Sequence, residues 1–221
     1  MNESEKVLFV HNEIVRNFRY GNKYEGDSQT IVGPLIKGIG TCKGFSMLVK
    51  LFFDYLGVES IVVCGDAKEA ATDKIEPHAW NIVKVGGFWF HMDVTFDTTL
   101  RNGNLMRYDY YKLSDEQIKN DHFYDESEYP SCWISTEDYF TKNKLVMHDV
   151  EQFSSYFIKC MKDNKQEIAV KLPDTMIGLD TGQKVMDICM KCLEKERTSG
   201  AVNISFNKNR QVFHITLNLN R

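Results

Sequence analysis

The sequence contains no continuous apolar stretch approaching the roughly 18 residues that a membrane-spanning helix needs, so no span is expected. It has no block of lysine and arginine either, and its net charge is −4, from 27 basic and 31 acidic side chains. Nucleic-acid binding leaves a clustered basic face, so no nucleic-acid partner is expected. The opening residues, MNESEKVLFVHNEIV, lack the basic region followed by an apolar run that marks a secretory signal. A cytoplasmic location is the expectation, and with it reduced thiols. The six cysteines, Cys42, Cys64, Cys132, Cys160, Cys189 and Cys192, sit at irregular spacings in a chain long enough not to need disulfide staples. Internal repeats and low-complexity tracts are also missing. What is present is ordinary globular composition, 43% apolar and 26% charged, over 221 residues. That length suits one domain, or one with a small second.

Several ligand motifs are absent as well. There is no Walker motif and no HExxH. In GIGTCKG, Gly38 and Gly40 are followed by Gly44, one residue late for G-x-G-x-x-G, and no clear strand precedes them. Cys189 and Cys192 are spaced like a metal or redox pair, but no second pair accompanies them. With Val185, Ile188 and Leu193 they share one helical face, which predicts core packing. No metal and no cofactor are predicted.

Apolar residues at Val7, Leu8, Val10, Ile14, Val15 and Phe18 predict a helix over 5–20. Residues 21–34 read as loop. Residues 43–56 carry Phe45, Leu48, Val49, Leu51, Phe52, Tyr55 and Leu56, apolar on most sides, which predicts a central helix ended by Gly57. Residues 59–65 read as a buried strand with Cys64 as a small core residue, and 66–77 as loop. Residues 78–85 and 88–95 predict two strands joined by Gly86-Gly87. Residues 97–148 are mixed, with a short helix at 114–120 capped by Ser114. The texture then changes to helix 150–163, strand 167–172, a loop with Pro173, helix 182–197, and a hairpin of 201–206 and 212–219. The expected organisation is a first domain at 1–148 and a small α/β region at 149–221.

Cys42 stands where a glycine-rich loop becomes the central helix. At a helix start, unpaired N–H groups and the dipole stabilise a thiolate and lower its pKa. The same N–H groups can receive an oxyanion when that sulfur attacks a carbonyl. A small residue packed before a core helix is the other reading, and this stretch alone leaves both open.

A nucleophilic thiol needs a base, and the base needs an orienting group. With Gly86-Gly87 as a two-residue turn, Val85 faces Phe88, so Trp80 falls opposite Asp93 and His78 opposite Thr95. His78 and Asp93 become diagonal neighbours on one face, roughly 7–8 Å apart at the backbone and within reach of a hydrogen bond. The same face carries Trp80, His91 and Thr95. The other face, Ala79, Val83, Val85, Phe88, Phe90, Met92 and Val94, reads as core, and that contrast fixes the register. His91 lies farther toward the turn and reads as structural. His11, His122, His148 and His214 have no comparable setting and read as surface or packing residues. Asp97 reads as a turn cap, and becomes a rival to Asp93 if the register slips.

GIGTCKGFSMLVKLFFDYLGV followed by PHAWNIVKVGGFWFHMDVTFD resembles the core of the transglutaminase-like superfamily, in particular its bacterial members. That pattern is a glycine-flanked cysteine opening a helix, a His-Ala-Trp-Asn strand (78–81), and an Asp-x-Thr-Phe-Asp strand (93–97). HNEIVRNFRY and RYDYYKLSDEQIKNDHF are similar to the same proteins, and the likeness spans about residues 7–148. It implies an α+β, papain-like fold: N-terminal helices and a central cysteine-bearing helix packed on an antiparallel sheet. It implies Cys42 as nucleophile, His78 as base and acid, and Asp93 as the group that orients His78. For the side-chain oxyanion donor the pattern singles out no residue; Trp80 and Gln29 are the candidates. The chemistry implied is thioester formation on a peptide or amide carbonyl, with a peptide or protein substrate and no metal. Water as acceptor gives hydrolysis, the favoured reading; an amine gives cross-linking. The rivals are acyl transfer from a small thioester donor and a catalytically inactive protein-binding module on the same fold.

Overall fold

The computed structural model describes residues 1–22, 26–69, 72–101, 105–173 and 181–220. Parts of the loops expected at 21–34, at 66–77 and after Pro173, and part of the mixed region 97–148, lie outside these residues. The chain forms two compact units, Met1–Tyr139 and Phe140–Arg221. Among the described residues no helix is long and apolar enough to cross a membrane.

In the first unit, helix α1 (Glu3–Asn17) starts at Asn2, whose side chain accepts from the Glu5 amide while the Glu5 carboxylate accepts from the Asn2 amide, both at 2.9 Å. It stops three residues short of the expected end. Phe18 turns extended, and β1 (Arg19–Tyr20) pairs in parallel with β2 (Ile39–Gly40). Between them come a 3-10 turn, Gly26–Gln29, and helix α2 (Val32–Lys37), where a loop was expected. Helix α3 (Cys42–Leu56) follows and ends at Gly57. Phe45, Leu48, Val49 and Phe53 are fully buried on it, each worth about 1.5–3 kcal/mol of transfer free energy.

Helix α3 packs on a five-stranded antiparallel sheet ordered β6-β5-β4-β3-β7. The strands are β3 (Ser60–Lys68), β4 (Ile75–Val85), β5 (Phe88–Met92), β6 (Tyr111–Leu113) and β7 (His122–Phe123). Val7, Val10 and Ile14 of α1 join Phe45 and Leu48 of α3 over Val83, Phe90 and Met92 of the sheet. The β4–β5 register is the expected one, with Val85 opposite Phe88 and Asn81 opposite Met92. Gly86 and Gly87 take φ of 60° and 85°, as a primed two-residue turn demands.

Three expectations are corrected here. Strand β5 ends at Met92 instead of Thr95, because Asp93 caps a new helix, α4 (Val94–Leu100). On the hairpin face of Trp80 and His91, Trp80 and Ile82 pack with Val63 and Cys132 in a second core. Phe88, expected in the core, is 41% exposed near the turn. Cys64 is exposed, because that part of β3 is covered only on the side of Val63. Strands β3 and β4 also run farther than expected, pairing out to Lys68 and Ile75. Helix α5 (Asp115–Ile118) is capped by Ser114 as expected.

Helix α6 (Tyr139–Lys142) lies at the division between the units. The second unit contains α7 (Val150–Lys162), β8 (Glu167–Lys171), α8 (Thr181–Lys195), β9 (Ser199–Asn207) and β10 (Val212–Asn220), with sheet order β8-β10-β9. Its start lies before the expected residue 149. Val146 bridges to Lys171, and Met147 is buried in the core of the second unit. Cys160, Cys189 and Cys192 are packed in that core, as the helical face of Cys189 and Cys192 predicts.

Candidate active site

Cys42 is the first residue of α3, and the first helical bond runs from the Phe45 amide to the Thr41 carbonyl at 2.9 Å. Thr41 makes no side-chain cap, so the first amides of the helix are not occupied by one. Gly44 sits one turn in. A Cβ there would clash with the Ser28 carbonyl oxygen, so only glycine lets the 3-10 turn lie against the helix start. The β1–β2 pair brings Tyr20 opposite Gly40, two residues before the thiol.

Cys42 is half-buried and interacts with the His78 ring and the Ala79 amide. Burial pushes the thiol up, but the His78 bond, the His78 charge and the Ala79 bond together hold it below the ordinary range. Nε2 of His78 lies 2.7 Å from Oδ2 of Asp93, which leaves Nδ1 to face the sulfur. Burial lowers the His78 pKa, but the Asp93 charge and hydrogen bond and the Cys42 contact prevail and raise it to about 10. The contacts thus favour a thiolate beside an imidazolium. Asp93 is 1% exposed. Burial pushes its carboxyl up, and the charges and hydrogen bonds of His78 and His122 hold it well below the usual carboxylate range.

The imidazole of His78 is held by rings as well as by charge. Trp80 stacks on it at 6.0 Å between centroids, and Phe96 packs at 4.7 Å. The thiol and imidazole open onto a cleft of about 290 Å³, whose walls include Tyr20, Glu69, Glu76 and Phe96. Burial first, then the negative charges of Cys42, Asp93 and the two glutamates, push the Tyr20 phenol up to about 12, so it stays a hydrogen-bond donor. A larger hollow, about 580 Å³, lies against α8 in the second unit; its walls include Asp187, Lys191 and Glu194 but no thiol and no imidazole.

Of the two oxyanion candidates, neither is placed for the role. Trp80 is 1% exposed and spends its one N–H on Nδ1 of His91, 3.0 Å away and inside the second core. Nε2 of His91 therefore donates to Oδ1 of Asp115 at 2.9 Å, and burial lowers the His91 pKa. Gln29 is exposed on the 3-10 turn and is not among the cleft walls. Asp97 is no rival to Asp93: it is buried inside α4 and bonded to Nε2 of His11 at 2.9 Å.

His122 is the residue that sequence reasoning missed. It is buried, with Nε2 3.1 Å from the same Asp93 oxygen that His78 contacts. The one available sign was its place at the end of the family-like stretch RYDYYKLSDEQIKNDHF. The donor atoms of His78, Asp93 and His122 lie within 4.8 Å of one another, as do those of His91, Asp115 and Cys132. The bonded His–Asp contacts within these sets, at 2.7–3.1 Å, are tighter than the about 3.4 Å between ligands of a tetrahedral zinc. They are hydrogen-bonded chains, and neither set is assigned a metal.

The site lies within a stretch that is similar to known proteins. Residues 1–94 match the family model of the transglutaminase-like superfamily. The match covers less than half of the chain's 221 residues. The matched stretch includes Cys42, His78 and Asp93 and ends short of residue 148, where the sequence likeness was expected to stop. No curated protein matches the chain. Among solved structures, a candidate cysteine protease from Cytophaga hutchinsonii is similar at 22% identity over 42% of this chain and 31% of that one, with a TM-score of 0.36. A TGase is similar at 18% identity over 67% of this chain and 35% of that one, with a TM-score of 0.39. The matched part thus spans about a third of the length of each.

Proposed function

We propose that the chain is a cysteine-dependent acyl-transfer enzyme that hydrolyses a peptide or amide bond through a thioester. In this reading its first unit has a papain-like arrangement, Cys42 is the nucleophile, His78 the base and acid, and Asp93 the orienting carboxylate. One observation carries the reading: at a helix start the Cys42 sulfur interacts with the His78 ring, whose Nε2 lies 2.7 Å from Oδ2 of Asp93. The match of residues 1–94 to the family model of the transglutaminase-like superfamily supports it.

The thiolate adds to the carbonyl carbon, a C–S bond forms, and the carbonyl electrons move to oxygen. Free amides at the start of α3 are oriented to receive that charge. Collapse breaks the C–N bond, and the imidazolium of His78 gives its proton to the departing amine. A water molecule then attacks the thioester, His78 takes its proton, and the acid leaves as the thiolate re-forms.

The test uses p-nitrophenyl acetate as a generic acyl donor, with mass spectrometry of the enzyme. An acyl group on Cys42 that turns over in water, and is absent from Cys42→Ala, is the expected result. Capture of that acyl group by an added primary amine in preference to water replaces hydrolysis with cross-linking. No adduct, together with a Cys42 no more reactive to iodoacetamide at pH 6 than Cys64, leaves a binding module and rejects the enzyme.

A further inference from the structure

We propose that His122 is a positioning residue for this reaction: it holds the Asp93 carboxylate in the orientation from which that carboxylate aligns His78. The proposal rests on the reading of Cys42, His78 and Asp93 as the reacting set.

The Asp93 carboxylate has two oxygens with separate duties. Oδ1 accepts from the Thr95 and Phe96 amides at 2.8 and 3.2 Å, as the cap of α4. Oδ2 lies between two imidazoles, 2.7 Å from Nε2 of His78 and 3.1 Å from Nε2 of His122. The terminal torsion of an aspartate is broad and shallow. Caps on Oδ1 alone leave the carboxylate able to swing about that torsion and draw Oδ2 away from His78. A second N–H aimed at Oδ2 removes that freedom. It also takes a share of the carboxylate charge, which tempers the pull of Asp93 on the His78 proton.

His122 is built to stay in place. Its Nδ1 lies 2.7 Å from Oδ1 of Asp121, and Oδ2 of Asp121 accepts from the Tyr110 hydroxyl at 2.5 Å. Trp80 and Phe96 pack its ring at 4.9 and 5.0 Å, and Tyr110 and His78 at 5.5 Å. Its backbone pairs with Ala67 of β3, and the Lys68 amide donates to the Asp121 carbonyl at 2.7 Å. The line Tyr110–Asp121–His122–Asp93–His78–Cys42 therefore runs from a core side chain to the thiol. A merely structural histidine would need only satisfied nitrogens. Positioning requires that Nε2 carry a proton and give it to Asp93.

Glutamine and asparagine at this position separate the two roles. Glutamine places its amide nitrogen near the site of Nε2, toward Asp93; asparagine places it near Nδ1, toward Asp121. The measurement is the rate of Cys42 alkylation by iodoacetamide between pH 5 and 9, read by peptide mass, with thermal melts as the fold control. His122→Gln should stay within about threefold of the unaltered protein at pH 6, and His122→Asn should fall about tenfold or more. Equal rates in the two variants overturn the proposal. Should either variant fail to fold, imidazole proton–nitrogen correlation spectra of the unaltered protein decide: a bare Nε2 on His122 at pH 6 overturns it, and a protonated, slowly exchanging Nε2 supports it. If Cys42 of the unaltered protein is no faster than Cys64, the reacting set itself fails and this proposal falls with it. If Cys42 is fast and the asparagine variant equally fast, only the role of His122 fails.

Discussion

His78 and Asp93 meet at 2.7 Å, Nε2 to Oδ2, although no strand pairing places them side by side. The ladder of β4 and β5 ends at Asn81 and Met92, and Asp93 turns out of it to cap α4. One carboxylate thus starts a helix with one oxygen and faces an imidazole with the other.

That double use predicts a split between two substitutions. Asp93→Asn keeps an oxygen for the Thr95 and Phe96 amides but removes the charge that raises His78. Its alkylation of Cys42 at pH 6 should fall about tenfold or more, one pKa unit being a tenfold change, with little change in melting temperature. Asp93→Ala also loses the cap and should cost a further 0.5–2 kcal/mol or so of stability. Urea unfolding of the two variants beside the alkylation assay checks both. Equal stability of the two variants would deny the cap its role.

The six thiols should fall into three reactivity classes under native conditions. Cys42 is lowered by its contacts with His78 and Ala79, against burial, and should react fast even at pH 6. Cys64 is exposed and should react more slowly there than Cys42. Burial raises Cys132, Cys160, Cys189 and Cys192, with Cys189 at about 12, so these should label only on unfolding. Timed alkylation followed by peptide mass spectrometry gives the order directly.

Stability should depend on pH through His78. Its folded pKa, about 10, lies above the unfolded value near 6.5. A raised value means the folded state holds the proton more tightly. The contribution is therefore complete below about pH 6.5 and is lost as pH rises through about 10. To remove the thiol from the comparison, Cys42→Ala is measured with and without His78→Gln. The difference between their unfolding free energies should shrink from pH 6 to pH 10. A difference flat over that range would contradict the His78–Asp93 pairing as drawn.

Trp80→Phe tests where the indole N–H points. The change leaves Nδ1 of His91 buried without its donor, at a cost of about 1–3 kcal/mol. A ring remains to stack on His78, so turnover of p-nitrophenyl acetate should stay within about threefold, a loss far below that of a missing oxyanion donor. Turnover of p-nitrophenyl acetate lost by about a hundredfold in a folded Trp80→Phe protein would instead restore the oxyanion role.

The hydrophobic period and the turn residues carried much of the fold. A helix apolar on most sides, a Gly-Gly turn and one-faced helices in the tail are local patterns, and each appears close to where it was read. Local patterns fail at residues 93–95. Alternation there matches a strand as well as it matches a short capped helix, and the choice goes to the helix because Asp93 finds two amides to cap. Cys64 fails for a different reason: a short apolar run does not say whether both of its sides are covered.

The sequence by itself determined that a thiol would start the central helix and that a histidine and an aspartate would stand near one hairpin, since spacing and turn chemistry are local. Only the tertiary structure decided which nitrogen faces which oxygen, that Trp80 turns its N–H away from the thiol, and that His122, distant in the chain, shares the Asp93 carboxylate. Those outcomes depend on how β7 and α4 pack against the sheet, and long-range packing leaves no periodic trace in the order of residues.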